Sequence, residues 1–130
     1  MTDIVFQISP AVTNDQLNAL FATAWANHVA THFQPILRHS LLYVCAYHDG
    51  VLIGFVNLAW DGGIHAFLLD TTVHIAFQRR GIGEQLIKTA VDAARQRDIE
   101  WVHVDYEPHL RSYYAKCGFL PTEAGLINLK

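Results

Sequence analysis

The stretch that decides the fold reads AFLLDTTVHIAFQRRGIGEQLIKTAVDAA and covers residues 66–94. Its first eight residues are rich in apolar and β-branched side chains, which predicts a β-strand over 66–73. Its second half repeats apolar residues at helical spacing, which predicts a helix that begins at the glycines; the repeated positions are Ile82, Leu86, Ile87, Ala90, Val91 and Ala94. A strand that turns through glycines into a helix directs unpaired N–H groups and the positive end of the helix dipole at one point. Such a turn suits a phosphate.

The turn itself reads QRRGIG, residues 78–83. Glycine has no Cβ, so a ligand's oxygens can approach the backbone, and Arg79 and Arg80 add positive charge. The turn lacks the Gly-x-x-x-x-Gly-Lys-Ser/Thr pattern, and it lacks the third glycine of Gly-x-Gly-x-x-Gly, so neither common phosphate motif is present. On its own, the hexapeptide is equally compatible with a solvated helix start.

Composition predicts one domain spanning residues 1–130. The chain is 52% hydrophobic, has ordinary charge content, and contains no run of about 20 apolar residues that could cross a membrane. Its N-terminus shows no basic region followed by an apolar core. The two cysteines form no disulfide framework, and the eight histidines contain no His-Glu-x-x-His, so no metal is expected. A cytoplasmic domain of enzyme size, with no membrane partner, is therefore the expectation.

The charge distribution is more informative than the net charge of −3, which argues against nucleic acid as a partner. Residues 1–65 carry four acidic side chains and a single basic one, Arg38. The remaining eight acids and eight bases lie in residues 66–130. The leading half is therefore mildly acidic, and the basic residues accompany the turn at 78–83.

Periodicity and turn signals predict a mixed, mostly antiparallel sheet of 6–7 strands flanked by helices on both faces, an α/β (α+β) architecture. The strand before the turn and the strand after the long helix should be parallel. In chain order the predicted elements are a strand at 4–8, a helix after a capping box at 13–16, a short helix broken near Pro35, strands at 41–47, 51–60 and 66–73, a helix at 83–97, a strand at 101–105, a helix at 110–116, and strand pieces at 119–122 and 126–129.

Two motifs give the chain a family resemblance. QRRGIG resembles the Q/R-x-x-G-x-G/A signature of the GNAT superfamily of N-acetyltransferases, and YYAKCGF at 113–119 resembles its F-Y-x-x-x-G-F ending. The resemblance covers residues 4–129, with motif-level matches within 66–120. It implies acetyl-CoA as co-substrate and an enzyme that moves the acetyl group to a primary amine of a small molecule or peptide. The amine would attack directly in a ternary complex.

The resemblance also implies a set of residues that hold acetyl-CoA. The backbones of Val73 and Ile75, on either side of His74, would pair with the pantetheine arm where the strand parts from its parallel neighbour near a bulge. The pyrophosphate would rest on backbone N–H groups of the turn, and Arg80 or Arg79 would add a side-chain contact. The turn and first helical residues are Gln78, Arg79, Arg80, Gly81, Ile82, Gly83 and Glu84.

For catalysis, Tyr114 matches the tyrosine that protonates the departing thiolate in many members; a tyrosine that is simply packed is the alternative. Phe67 occupies the place of a glutamate that serves as general base in many relatives, and Glu107 stands where others have an asparagine. Asp70 and Glu107 are therefore the candidate bases, with Asp70 as a structural hydrogen-bond acceptor the competing interpretation. His74 and His109 are further candidates.

The acceptor is expected to bind near residues 25–39 and 60–63, where aromatic and histidine side chains cluster in the acidic half of the chain. A small cationic amine fits such a surface. A non-catalytic acyl-CoA-binding regulatory module with the same fold is the alternative function. Tyr114 favours the enzyme, and Phe67 in place of the glutamate favours the module. The oligomeric state stays open, with a homodimer as one option.

Overall fold

One sheet organises the chain, which is described by a computed structural model over residues 3–130. Met1 and Thr2 lie outside the described residues. They begin the N-terminal stretch in which no secretory signal is expected. The strands are β1 (Ile4–Ile8), β2 (Ser40–His48), β3 (Val51–Trp60), β4 (His65–Val73) and β5 (Trp101–His103). The α-helices are α1 (Asn14–Ala24), α2 (Gln34–Arg38), α3 (Ile82–Arg95) and α4 (Arg111–Lys116), and 3₁₀ turns span Ile75–Phe77 and Pro108–Leu110.

The sheet has the order β1-β2-β3-β4-β5. Its first four strands pair antiparallel, and β4 pairs parallel with β5 across the α3 crossover, which confirms the predicted mixed and mostly antiparallel sheet. The predicted count of 6–7 strands is wrong, because residues 3–130 form five. The segments 119–122 and 126–129 have strand-type side chains but pair with no neighbouring strand in the described chain, and a strand needs such a partner for its backbone groups.

The predicted capping box at the start of α1 is confirmed. The Thr13 hydroxyl accepts from the Gln16 N–H at 3.1 Å, and the Gln16 side chain accepts from the Thr13 N–H at 2.9 Å. The prediction for Pro35 is wrong: it lies in the first turn of α2 and starts that helix rather than breaking it. Proline is tolerated there because the N–H groups of a first turn have no intrahelical partner.

Helices cover both faces of the sheet, as predicted. On one face the apolar side of α3 packs against alternate residues of the central strands, and Tyr114 of α4 joins this cluster; its sheet members are Leu42, Val44, Ala46, Ile53, Val56, Leu58, Ala66 and Leu68. On the other face α1 and the loop after it cover a second cluster, which contains Leu17, Leu20, Phe21, Phe33, Cys45, Leu52 and Phe55. The strand alternation therefore divides the core into two layers.

Gly54 allows α3 to approach β3 closely. A Cβ at this position would lie 3.1 Å from both the Ala46 Cβ and the Leu86 Cδ1. Such distances are tighter than nine in ten real Cβ contacts, so an added Cβ would force Ala46 and Leu86 to move by a few tenths of an ångström. The close approach determines where the N-terminus of α3 lies relative to the end of β4.

Candidate active site

The strands β4 and β5 part from each other halfway along β4. Their parallel pairing comprises only His65 with Trp101, Ala66 with Val102, and Phe67 with His103, whereas β4 continues to Val73. Beyond Phe67 one edge of β4 is therefore not covered by β5. This geometry opens a fork between two strands that belong to the same sheet.

A bulge bends β4 in the opened part. The partners of Phe55 and Asn57 on β3 are Thr72 and Leu69, so two residues of β4, Asp70 and Thr71, occupy the space of one. Asp70 takes a left-handed conformation, with φ of 59°. A bulge redirects side chains and backbone groups locally, and here it does so at the fork.

The turn before α3 has the geometry of an anion-binding loop. Arg79 and Gly81 both have positive φ, 63° and 78°, and Gly81 caps α3 without a side-chain hydrogen bond. Left-handed residues that alternate with ordinary ones point successive N–H groups into one concavity, called a nest. The N–H groups of the first turn of α3 have no intrahelical acceptor and add to it. Of the described residues, none comes within 4 Å of where a Gly81 Cβ would stand.

Gly83 lies against α4. A Cβ on Gly83 would stand 2.7 Å from the Tyr113 Oη, so the space beside this glycine is filled by α4. The space beside a missing Cβ is therefore open at Gly81 and filled by Tyr113 at Gly83, and contact of either glycine with a ligand stays a prediction. The glycine at 83 lets the Tyr113 hydroxyl reach the N-terminus of α3.

The charges around the turn are partly held by neighbours. The Arg80 guanidinium lies 5.1 Å from the centre of the Phe77 ring, which steadies it on the surface. Glu84, in the first turn of α3, is 3.5 Å from the Lys116 Nζ at the end of α4. Both members of this pair are solvent-accessible, so its main effect is to offset the negative charge of Glu84 next to the turn.

The segment between β4 and the turn is held by side chains. The Gln78 side-chain amide donates to the Val73 carbonyl at 3.0 Å, and the Ile75 N–H donates to the Thr23 hydroxyl at 3.3 Å. The His74 ring accepts from the Ala76 N–H at 3.0 Å. The Val73 carbonyl and the Ile75 N–H are thus each bonded to one side chain. A side chain is a weaker partner for a backbone group than a neighbouring strand.

Tyr114 is buried beneath the fork. It is 9% exposed, its ring stacks on Tyr106 with centroids 4.8 Å apart, and Tyr113 meets it edge-on at 5.1 Å. Burial raises the pKa of its hydroxyl above 10, and a hydrogen bond with the Thr71 side chain opposes that rise. The hydroxyl therefore stays protonated at neutral pH and lies beside the bulge of β4.

Each candidate carboxylate is one residue in sequence from a residue that contacts Tyr114. Asp70 precedes Thr71 on the bulge, and although the residue is exposed, desolvation of its carboxyl raises its pKa above 3.8. Glu107 is exposed and follows Tyr106, whose ring covers Tyr114. His109 lies in the exposed 3₁₀ turn after Glu107. Thr71 and Tyr106 thus link Tyr114 to the chain segments that carry Asp70 and Glu107, and the catalytic roles of these three residues stay predictions.

The predicted acceptor region stays a prediction, and its two parts lie at different points along β4. The Trp25 ring, half exposed at the end of α1, donates its N–H to the Thr72 hydroxyl at 3.0 Å, beside the bulge. In the 60–63 turn, the Asp61 carboxylate accepts from the Gly63 and His65 N–H groups. These backbone donors, led by Gly63, hold the pKa of Asp61 below 3.8.

Sequence reasoning missed a histidine pair at the base of the fork. The His65 Nδ1 and His103 Nε2 are 2.8 Å apart, and the Phe67 ring stacks on His103 with centroids 4.8 Å apart. One ring must donate and the other accept, so the pair cannot keep this bond with both rings charged. The parallel register of β4 and β5 creates the cluster, and only the alternation of residues 65, 67, 101 and 103 hints at it in the sequence.

These features agree with a family model. The model described as "Acetyltransferase (GNAT) family" matches residues 11–119. The chain belongs to this family. Among curated relatives, it is 25% identical over 109 residues to an uncharacterized N-acetyltransferase, ycf52, of Porphyra purpurea, over 81% of this chain and 63% of that protein. It is 30% identical over 115 residues to a mycothiol acetyltransferase of Nocardia farcinica, over 82% of this chain and 37% of that protein. The chain spans less than two thirds of either relative.

Solved structures of acetyltransferases show the same fold. A GNAT-family acetyltransferase from Streptococcus pneumoniae superposes with a TM-score of 0.81 at 23% identity, over 98% of this chain and 100% of that one. An aminoglycoside N-acetyltransferase, AAC(6')-Iy, solved in complex with CoA superposes with a TM-score of 0.78 at 19% identity, over 100% of this chain and 96% of that one. At these identities the likeness concerns the fold alone.

Two further observations concern residues 3–130. In that range none of the helices combines the length and apolar character needed to cross a membrane. The same residues contain no group of three or more His, Cys, Asp or Glu side chains placed to hold a metal ion.

Proposed function

We propose that this domain transfers an acetyl group from acetyl-CoA to the primary amine of a small molecule or peptide. The observation that carries the proposal is the nest at residues 79–81, which opens α3 immediately after a strand that has parted from its parallel neighbour. A pyrophosphate carries the negative charge that such a nest and helix N-terminus attract. The open fork beside it offers an extended ligand a place between two strands.

Acetyl-CoA would bind along this path. Its pyrophosphate would accept hydrogen bonds from backbone N–H groups between Arg79 and Glu84, with the Arg80 or Arg79 guanidinium as a further partner. The pantetheine arm would run into the fork and pair with backbone groups at Val73 and Ile75. The bonds of those groups to Gln78 and Thr23 would then be exchanged for bonds to the ligand.

Tyr114 would supply the proton to the departing thiolate. Its hydroxyl is buried beside the β4 bulge and keeps its proton at neutral pH, because burial raises its pKa. A free thiol titrates at about 8.5, so transfer from Tyr114 to the thiolate is unfavourable by itself and must be coupled to the loss of a more acidic proton. The nitrogen of the new amide loses a proton in the same step, and that proton restores Tyr114.

A carboxylate would receive the first proton, which the acceptor ammonium must lose before its nitrogen can attack. Asp70 is the better placed candidate, because it adjoins Thr71, the partner of Tyr114, and its raised pKa makes it a stronger base than an ordinary carboxylate. Glu107 is the second candidate, through its neighbour Tyr106. The amine then attacks the thioester carbonyl in a ternary complex, without an acetylated enzyme.

The acceptor would be cationic, with an apolar body. Trp25, whose ring N–H donates to the Thr72 hydroxyl, and Phe67, the last β4 residue paired with β5, are 51% and 38% exposed, which provides apolar contact surface. The Asp61 carboxylate, in the turn before β4, and the Asp70 carboxylate, on the β4 bulge, add negative charge at two points along β4. This combination favours an ammonium and disfavours phosphorylated acceptors.

A matched pair of variants tests acetyl-CoA binding. Gly81→Asn and Gly81→Asp have nearly the same shape, both residues tolerate the left-handed conformation, and space is open for either side chain. Only the aspartate places a negative charge at the nest, so calorimetry should show at least about tenfold weaker acetyl-CoA binding for Gly81→Asp than for Gly81→Asn. Equal affinity of the two variants would contradict the placement of the pyrophosphate.

Acetyl transfer itself is tested by release of free thiol from acetyl-CoA with a panel of polyamines, aminoglycosides, arylamines, amino acids and peptides. The expected result is turnover with one class of amine, with a product that carries the acetyl group on nitrogen. Tight acetyl-CoA binding without turnover of any amine would instead support the acyl-CoA-binding regulatory module.

A further inference from the structure

The C-terminal end of α1 holds the last part of β4 at two points. The Trp25 ring N–H donates to the Thr72 hydroxyl at 3.0 Å, and the Thr23 hydroxyl accepts from the Ile75 N–H at 3.3 Å. Residues 72–75 include the backbone groups that the proposed function assigns to the pantetheine arm. One helix end therefore supports both ends of that segment.

This end of α1 is itself anchored in the core. The Trp25 backbone N–H donates to the Phe21 carbonyl at 2.9 Å, and the Thr23 hydroxyl donates to the Leu20 carbonyl at 2.8 Å. Leu20 and Phe21 belong to the buried cluster between α1 and the sheet. The side chains of Thr23 and Trp25 therefore reach β4 from a fixed support.

The hydrogen bond from Trp25 continues into the bulge of β4. The Thr72 hydroxyl accepts from Trp25 and donates to the Asp70 carbonyl at 2.9 Å, and Thr72 is 1% exposed. Asp70 has a φ of 59°, a conformation that a residue with a side chain keeps when its surroundings hold it. Thr71, between them, forms the side-chain hydrogen bond with Tyr114. A shift of the bulge would therefore move both Asp70 and the partner of Tyr114.

We propose that Trp25 is a positioning residue for acetyl transfer, whose ring N–H holds the β4 bulge through Thr72. The inference rests on the proposed function, in which acetyl-CoA pairs with the backbone of Ile75. That pairing would displace Thr23 from the Ile75 N–H and leave the bond between Trp25 and Thr72 in place. The bond of Thr23 thus competes with acetyl-CoA, whereas the bond of Trp25 keeps the reacting groups aligned after acetyl-CoA has bound.

Trp25→Phe and Thr72→Val remove the two ends of the same hydrogen bond and keep an apolar side chain of similar shape. Each should lower the single-turnover rate of acetyl transfer, at saturating amine, by at least about tenfold, because a displaced bulge misaligns the reacting groups. The double variant should be no slower than the slower single variant, since both changes break one bond.

The matched control is Trp101→Phe, which removes the N–H of another half-exposed indole on β5 and should keep the wild-type rate. A wild-type rate for Trp25→Phe, or rate losses of Trp25→Phe and Thr72→Val that multiply in the double variant, would overturn the proposal.

Calorimetry with acetyl-CoA separates the two bonds of α1. In Thr23→Val the Ile75 N–H has lost its hydroxyl partner before binding, so acetyl-CoA should bind about two- to tenfold more tightly than to the wild type. Trp25→Phe should bind acetyl-CoA within about threefold of the wild type, so that its slower transfer is a loss in the reaction step. Unchanged or weaker binding by Thr23→Val, or a loss of affinity in Trp25→Phe that matches its loss of rate, would overturn the proposed division.

Amide hydrogen exchange of the free chain, followed by NMR, tests the support of the bulge without an acceptor amine. In Trp25→Phe the amides of residues 71–73 should exchange at least about tenfold faster than in the wild type, while those of residues 44–46 on β2 keep their rates. Equal exchange at 71–73 would overturn the support. A wild type that acetylates no amine would overturn the proposed function and the role of Trp25 in transfer, and the exchange rates would still decide whether Trp25 holds the bulge.

Discussion

Substituting Gly83 by alanine separates two reasons for a glycine at the start of α3. If the missing Cβ served the ligand, alanine would weaken acetyl-CoA binding. The structure instead places the Tyr113 Oη 2.7 Å from the new Cβ, a separation that real Cβ atoms essentially never show. The next neighbour, the Val73 Cγ2 at 3.6 Å, is at an ordinary contact distance. The strain should therefore arise from one oxygen atom of Tyr113.

The size of the effect follows from two opposing terms. Forcing an extra methyl group into packed surroundings costs about 1–3 kcal/mol. Alanine in place of glycine in a helix gains up to about 1 kcal/mol. Gly83→Ala should therefore lower the free energy of unfolding by about 1 kcal/mol, which corresponds to a fall of about 3–5 °C in Tm for a chain of this size. In a Tyr113→Phe background the oxygen is absent, so the same substitution should be neutral or stabilising.

The assay is a double-mutant cycle of denaturant unfolding on the wild type, Gly83→Ala, Tyr113→Phe and the double variant. A coupling of about 1–2 kcal/mol between the two positions is expected. Calorimetry on the double variant should give acetyl-CoA affinity within about threefold of the Tyr113→Phe variant, a difference of about 0.7 kcal/mol. Equal destabilisation by Gly83→Ala in both backgrounds would refute the role of the Tyr113 hydroxyl, and a large loss of affinity in the double variant would restore the ligand explanation.

Tyr114→Phe should lower single-turnover acetyl transfer by about 10²–10⁴-fold and leave acetyl-CoA affinity unchanged, and wild-type turnover would make the tyrosine a packing residue. Asp70→Asn should keep the left-handed bulge, since asparagine tolerates it. The raised pKa of Asp70 means that the folded chain disfavours the carboxylate, so the wild type should lose stability as pH rises above 3.8 and through that raised pKa. The Asp70→Asn variant should lack this loss. Unfolding curves at pH 3 and pH 7 that differ equally for both proteins would contradict the prediction. Gly54→Val should lower the free energy of unfolding by about 1–3 kcal/mol through its contacts with Ala46 and Leu86, in contrast to Gly125→Val, where no described residue lies within 4 Å of the added Cβ.

The sequence by itself determined the local elements and their order. The apolar period of 3.6 residues after QRRGIG places α3 within two residues of its observed ends, and the turn at Asp49-Gly50 separates β2 from β3 as predicted. The capping box before α1 is likewise correct. These features depend on residues a few positions apart, whose interactions are the same whatever the rest of the chain does. The two family motifs are local in the same sense, which explains why the family could be recognised from them.

Only the tertiary structure decided which residues meet across the sheet. The bulge at Asp70, the contact between Gly83 and Tyr113, and the pair His65–His103 all depend on strand register and on how α4 packs against α3. A shift of one residue in register would exchange the faces of every side chain on a strand, so sequence pattern alone does not determine such pairs. The number of strands was wrong for the same reason: residues 119–129 have the composition of strands, but a strand exists only where another backbone is available to pair with it.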